Sequence, residues 1–253
     1  MARDERARDR TQEASLLDRR SYLRLAGAAA ASVATVTGLG ASNGAAQDTD
    51  YLLYDSFEGT AYRDHFTSSW RLGDDDNDTL TTAHARSGEG CVHFPLREGD
   101  HYGMVATLDL TDGDVTDDSP RELYASYWVK FGEGFDFGGD TFANKLPGFE
   151  NHERRPDGSA GLPSDGTNGW AARGMFTDGG DGVELGYYCY HMDMSGSYGD
   201  MLTATTVPTG EWHHVEQRLA LNSAPGGEAA RDGTLTMWLD GERVYHDDSM
   251  AFT

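Results

Sequence analysis

Through the second half of the chain, apolar side chains recur at every second position in short runs, and Asp, Gly and Asn divide the runs. Residues 123–131 show this most clearly. Leu123, Ala125, Tyr127, Val129 and Phe131 fall on one face, and Tyr124, Ser126, Trp128 and Lys130 fall on the other. A period of two is the mark of a half-buried β-strand. Segments 91–94, 103–110, 186–191, 213–221 and 234–239 have the same character, and Arg173 stands at the start of another such run. Asp240-Gly241 predicts a tight hairpin turn with 243–245 as the returning strand. Helix patterning is scarce. The prediction is an all-β fold, a jelly-roll β-sandwich formed by residues 47–253 as one domain.

Segments 73–82 and 150–168 read as loops. The first contains Asp74-Asp75-Asp76-Asn77-Asp78, an oxygen-rich run that lacks the twelve-residue spacing of an EF-hand. It is read as a solvated acidic turn, not a metal site.

The first 46 residues have a different logic. Arg19-Arg20-Ser21-Tyr22-Leu23 fits a twin-arginine export signal, a mild apolar stretch follows, and Ala41 to Ala46 supplies small residues before an acidic segment. Residues 1–46 are therefore expected to be an export signal and cleavage region, and the protein to be extracellular. No Cys lies near that region, so a lipid anchor is not expected. No apolar run reaches the roughly 18–20 residues of a membrane-spanning helix.

Charge narrows the picture further. The 253 residues carry 43 Asp plus Glu against 20 Lys plus Arg, a formal charge of −23. Such a surface repels phosphates, which excludes nucleic acid as a partner. Among the cations only Lys130 and Lys145 are lysines. An Asp-rich, Lys-poor surface suits concentrated salt, where screening removes self-repulsion, so a halophilic source is expected. Two cysteines, Cys91 and Cys189, permit either one disulfide or two small buried side chains.

Several familiar sites are missing: Gly-x-Ser-x-Gly, the phosphate-binding loop, Cys-x-x-Cys and His-Glu-x-x-His. The strand-borne carboxylate pair of a retaining glucanase is absent too. What stands out is a cationic and phenolic set, comprising Lys145, Arg173, and Tyr188 with Tyr190, which alternation puts on one face of a strand opposite Tyr187 and Cys189. Such a set suits β-elimination on a uronic-acid polymer. A cation beside the C5 carboxylate stabilises the enolate that forms as the neighbouring proton leaves. A Tyr near cations loses its proton more easily, and a phenol can protonate the departing oxygen. Each piece alone has an ordinary reading as a sheet face, a surface charge or a salt-bridge partner.

Taken together and in order, the blocks resemble polysaccharide lyase family 14, the alginate and glucuronan lyases. They are 123–131 running on through Gly134-Phe135-Asp136, then Lys145-Leu146-Pro147-Gly148, Gly169-Trp170-Ala171-Ala172-Arg173, and Tyr188-Cys189-Tyr190-His191. Glu211-Trp212-His213-His214-Val215, Leu221-Asn222 and the segment 233–241 follow with matching spacing. The resemblance runs from about Leu52 to the end. It implies a concanavalin-like jelly roll whose concave sheet holds an anionic polysaccharide. It also implies that Lys145 and Arg173 neutralise its carboxylate, and that Tyr188 and Tyr190 supply base and acid, with the division between them open. Asn144, Trp170 and His191 are expected substrate contacts, and no metal or cofactor is implied. Asn144 stands where a Gly is usual, and the end at Thr253 comes before the closing strands typical of relatives. The alternative is a carbohydrate-binding jelly roll without catalysis.

Overall fold

A computed structural model describes residues 51–73, 77–97, 103–110, 120–137, 143–151 and 162–253. Residues 1–46, expected to be an export signal, and Asp74 to Asp76 lie outside the described residues. The chain forms two compact units, one from Met1–Pro95 with Met104–Val115 and one from Leu96–Gly103 with Thr116–Thr253. The sequence had suggested one domain over 47–253.

In the smaller unit a six-residue 3-10 turn, Thr60–His65, precedes β1 (Ser68–Trp70), β2 (Thr79–Thr81), β3 (Cys91–His93) and β4 (Val105–Thr107). β1 pairs with β4 and β2 with β3, both antiparallel. Asp78 corrects the reading of this region as a solvated acidic turn. Its carboxylate is fully buried and accepts from the Tyr62 hydroxyl, from Arg63 Nε at 2.8 Å and from Gly73 N at 2.6 Å. A buried carboxylate persists only when it is paired and hydrogen-bonded in this way.

The larger unit is an antiparallel β-sandwich. Its strands are β5 (Glu122–Lys130), β6 (Asn144–Asn151), β7 (Trp170–Asp178), β8 (Val183–Tyr190), β9 (Asp200–Val207), β10 (Trp212–Ala220), β11 (Gly233–Leu239) and β12 (Glu242–Met250). One sheet has the order β12-β11-β10-β5 and the other β6-β7-β8-β9. This is the expected jelly-roll architecture. The predicted strands all form, and Asp240-Gly241 makes the expected turn with both residues at positive φ, 49° and 90°.

Alternation decides what lies between the sheets. Trp170, Ala172 and Phe176 from β7, Leu185, Tyr187 and Cys189 from β8, Val215 and Leu219 from β10, and Leu235 and Met237 from β11 meet in one core. Phe252 closes it against Trp170, ring centroids 5.5 Å apart. Asn222 ties this segment down by accepting from the Phe252 and Thr253 amides and donating to the Thr253 carbonyl. Both cysteines are free, with Cys189 in this core and Cys91 in the smaller unit. The disulfide alternative is thereby set aside.

Two strands were less legible. β6 carries Pro147 and Gly148, which ordinarily demote a strand. Here Lys145 pairs with Met175 and Gly148 with Arg173, so one extra residue bulges from β6 between them. Gly148 is required there, because a Cβ would fall 2.5 Å from the Arg173 Cα. β9, in which Thr recurs on both faces, carries only a weak alternating signal.

Candidate active site

The outer face of the sheet β6-β7-β8-β9 gathers the polar chemistry. Lys145 on β6 and Arg173 on β7 reach the same ring from two neighbouring strands. The Lys145 Nζ stands 3.9 Å from the centroid of the Tyr188 ring, and the Arg173 guanidinium 5.8 Å from it. Nζ also donates to the Ala143 carbonyl. Tyr188 and Tyr190 project together, as their spacing requires, with rings 5.6 Å apart and nearly perpendicular.

The two phenols are not equivalent. Tyr190 is only 1% exposed, packed on Ala171 and under Met194, whereas Tyr188 is half-buried and faces the cations. Gly199 fixes the Tyr188 hydroxyl by donating its N–H at 3.1 Å. A Cβ at Gly199 would come within 2.9 Å of both tyrosine rings, so only glycine lets this backbone approach.

Two cations side by side shape the electrostatics. Burial and the nearby Arg173 charge push the Lys145 ammonium down to about 8. Tyr188 moves the other way, to about 12, because burial and the hydrogen-bonded Tyr190 outweigh the help of the Gly199 amide and Arg173. The sequence-based expectation that neighbouring cations ease the phenol's ionisation is thus corrected: desolvation is the larger effect.

Glu150, two residue pairs along from Gly148, was not singled out from the sequence. Its carboxylate lies 3.7 Å from Arg173 Nε, too far for a hydrogen bond, and that Nε is buried without a hydrogen-bond partner. No motif signals Glu150; only the register of β6 on β7 brings it to this face.

The remaining expected contacts lie elsewhere. Trp170 belongs to the core between the sheets, opposite the face that carries Arg173, because its strand alternates. Asn144 pairs with Phe176 and shares that residue's inward face, whereas Lys145 faces outward. His191, just beyond β8, is buried and its Nε2 lies 3.1 Å from Asp200.

A family model described as polysaccharide lyase 14 matches residues 100–253. Among solved structures, a marine PL-14 alginate lyase from Aplysia kurodai is 19% identical with a TM-score of 0.54, covering 74% of this chain and 76% of that one. That likeness concerns the fold. A mutant of alginate lyase Aly36B in complex with alginate tetrasaccharide is 24% identical with a TM-score of 0.43, covering 53% of each chain. The chain thus spans about half the length of that relative. An endo-beta-1,4-glucuronan lyase from the fungus Trichoderma reesei is 14% identical with a TM-score of 0.44, covering 74% of this chain and 73% of that one. A search of the curated proteins gave no match.

Proposed function

The chain belongs to the polysaccharide lyase 14 family, and from that membership we propose that it cleaves a polyuronate, alginate or glucuronan, by β-elimination. The observation that carries the reading is the meeting of Lys145, Arg173 and Tyr188 on one sheet face. In a chain of net charge −23, two neighbouring cations repel each other, and the carboxylate the site sets beside Arg173, that of Glu150, stands 3.7 Å away. Their placement together over a phenol suits an anionic ligand that also needs proton transfer.

The roles follow from charge and burial. Arg173 offers a planar guanidinium fork that matches a carboxylate, so it offsets the C5 carboxylate of the uronate. The C5 proton goes to a base whose neutral form is populated. Tyr188, pushed up to about 12, stays a phenol near neutral pH, whereas Lys145, pushed down to about 8, reaches its neutral amine far more readily. Lys145 therefore takes the proton, the electron pair forms the C4=C5 double bond, and the C4–O bond breaks. Tyr188, a phenol at the start, donates its proton to the departing glycosidic oxygen. Tyr190, closed off behind it, orients Tyr188 through their hydrogen bond.

The test is incubation of the folded protein in high salt with mannuronate-rich alginate, guluronate-rich alginate and glucuronan. The readout is ultraviolet absorbance of the conjugated, unsaturated uronate. A rise that disappears in Lys145→Ala and Arg173→Ala supports the lyase and names its polymer. Binding of these polymers without any rise, from folded protein, would leave a carbohydrate-binding module instead. The Arg19-Arg20 leader fits delivery outside the cell, where such polymers lie. Replacing both arginines by lysine is expected to retain the product inside, as read by immunodetection in the medium.

A further inference from the structure

On the opposite sheet, Gln217 is a polar side chain with no exposure at all. It sits at the centre of β10, between β5 and β11, and points into the sandwich. Its Nε2 donates to the Tyr127 hydroxyl at 3.0 Å and to the Pro147 carbonyl, also at 3.0 Å. Pro147 is one of the two residues between Lys145 and Gly148, inside the bulge of β6. Gly174, on the neighbouring β7, leaves room for this contact. A Cβ at Gly174 would lie 2.8 Å from Gln217 Nε2 and 2.8 Å from the Pro147 oxygen.

This arrangement is costly as packing alone. Gln217 Oε1 is buried with no hydrogen-bond partner, and an apolar side chain of similar volume would leave no such group. Its amide can face only one way, because the Pro147 carbonyl needs a donor and the Gln217 oxygen has none to give. What the amide secures is geometry: it is the side-chain bond from the facing sheet to the bulge, and the bulge sets where Lys145 emerges.

We propose that Gln217 is a positioning residue for the lyase site, pinning the β6 bulge through the Pro147 carbonyl and thereby holding the Lys145 ammonium over the Tyr188 ring. The inference rests on the lyase reading for its consequence but not for its measurement. The chain has only two lysines, Lys130 and Lys145, so reductive methylation with ¹³C gives a simple NMR spectrum in which Lys145→Arg identifies the Lys145 signal.

In Gln217→Met, the Lys145 signal is expected to titrate closer to the ordinary lysine value than in the unsubstituted protein. On the degraded polymer, kcat is expected to fall about tenfold or more with KM little changed, since loss of alignment acts on the reacting geometry. Tyr127→Phe removes the neighbouring phenol from the same buried cluster but spares the Gln217–Pro147 bond, and is expected to leave the Lys145 titration in place. An unchanged titration in folded Gln217→Met overturns the proposal, as does an equal shift in Tyr127→Phe, which would indicate general loosening of the core. If Gln217→Met does not fold, Gly174→Ala wedges the same contact from β7, and an unchanged Lys145 titration there overturns it equally. Failure to degrade any polyuronate removes the lyase reading while the NMR result still judges the pin.

Discussion

Lys145 concentrates the chemistry at the scale of a single residue. It keeps an exposed edge beside Arg173, and partial desolvation together with the like charge presses it toward the neutral amine. The proposed role of Lys145 as base has a distinctive signature: kcat/KM is expected to rise through pH about 8 and to level off above it. Lys145→Arg, which keeps the charge but cannot deprotonate, is then expected to be as inactive as Lys145→Met. An active Lys145→Arg enzyme with a falling alkaline limb would instead make the ammonium a purely electrostatic partner. The same shift has a consequence for stability. A lysine whose folded value lies below its unfolded 10.5 disfavours folding fully below pH about 8, and that burden lifts between about 8 and 10.5. Lys145→Met is therefore expected to raise Tm below pH 8 while abolishing turnover, and the gain should shrink as pH approaches 10.5, as thermal unfolding at several pH values will show. Among the neighbouring side chains, Lys145, Arg173, Tyr188 and Tyr190 were all legible from the sequence as a chemical set. The difference between the two tyrosines was not, because Ala171 and Met194, which close over Tyr190, are unremarkable residues in any linear reading.

At the scale of elements, the site depends on β6 lying tight against β7 despite carrying a proline. Pro147 sits in the bulge, where a missing N–H leaves the ladder intact on either side. Gly148 lets the two backbones touch. Gly148→Ala is expected to lower stability by about 1–3 kcal/mol through overpacking and to depress activity further than that loss explains, since it levers Lys145 away from Tyr188. Chemical denaturation beside kinetics on the folded fraction separates the two effects. Strands such as β5, β8 and β10 were readable because one face is apolar and the other is not. β6 was not read as a strand, and its last two residues fell in the segment 150–168 read as a loop; its true pairing is set by Arg173 and Ala172 across the ladder, not by its own propensity. Trp170 shows the reverse error. An aromatic beside a motif suggests a sugar platform, but strand parity turns it inward to Phe252.

For the whole molecule, the larger unit owes its closure to residues far apart in sequence. Phe252 is fully buried against Trp170, and Asn222 bonds the backbone around it. Phe252→Ala is expected to cost about 3–5 kcal/mol, measured by the unfolding midpoint in denaturant. Solvent conditions act at this scale too. With 23 net negative charges, self-repulsion is long-ranged in dilute buffer and screened within about 3 Å near 1 M salt, so Tm is expected to climb with salt concentration. The alternation of side chains by itself determined the β-sandwich and the Asp240-Gly241 hairpin, because period-two burial and turn chemistry are local, and the ordered motif blocks carried the resemblance to the family. Tertiary structure alone decided that Trp170 and Asn144 face inward, that Glu150 stands beside Arg173, that desolvation outweighs charge at Tyr188, and that Gln217 reaches past Gly174 to the bulge. Those outcomes depend on register and on what packs across the sandwich, and neither distance nor dielectric is encoded in the spacing of residues along one strand.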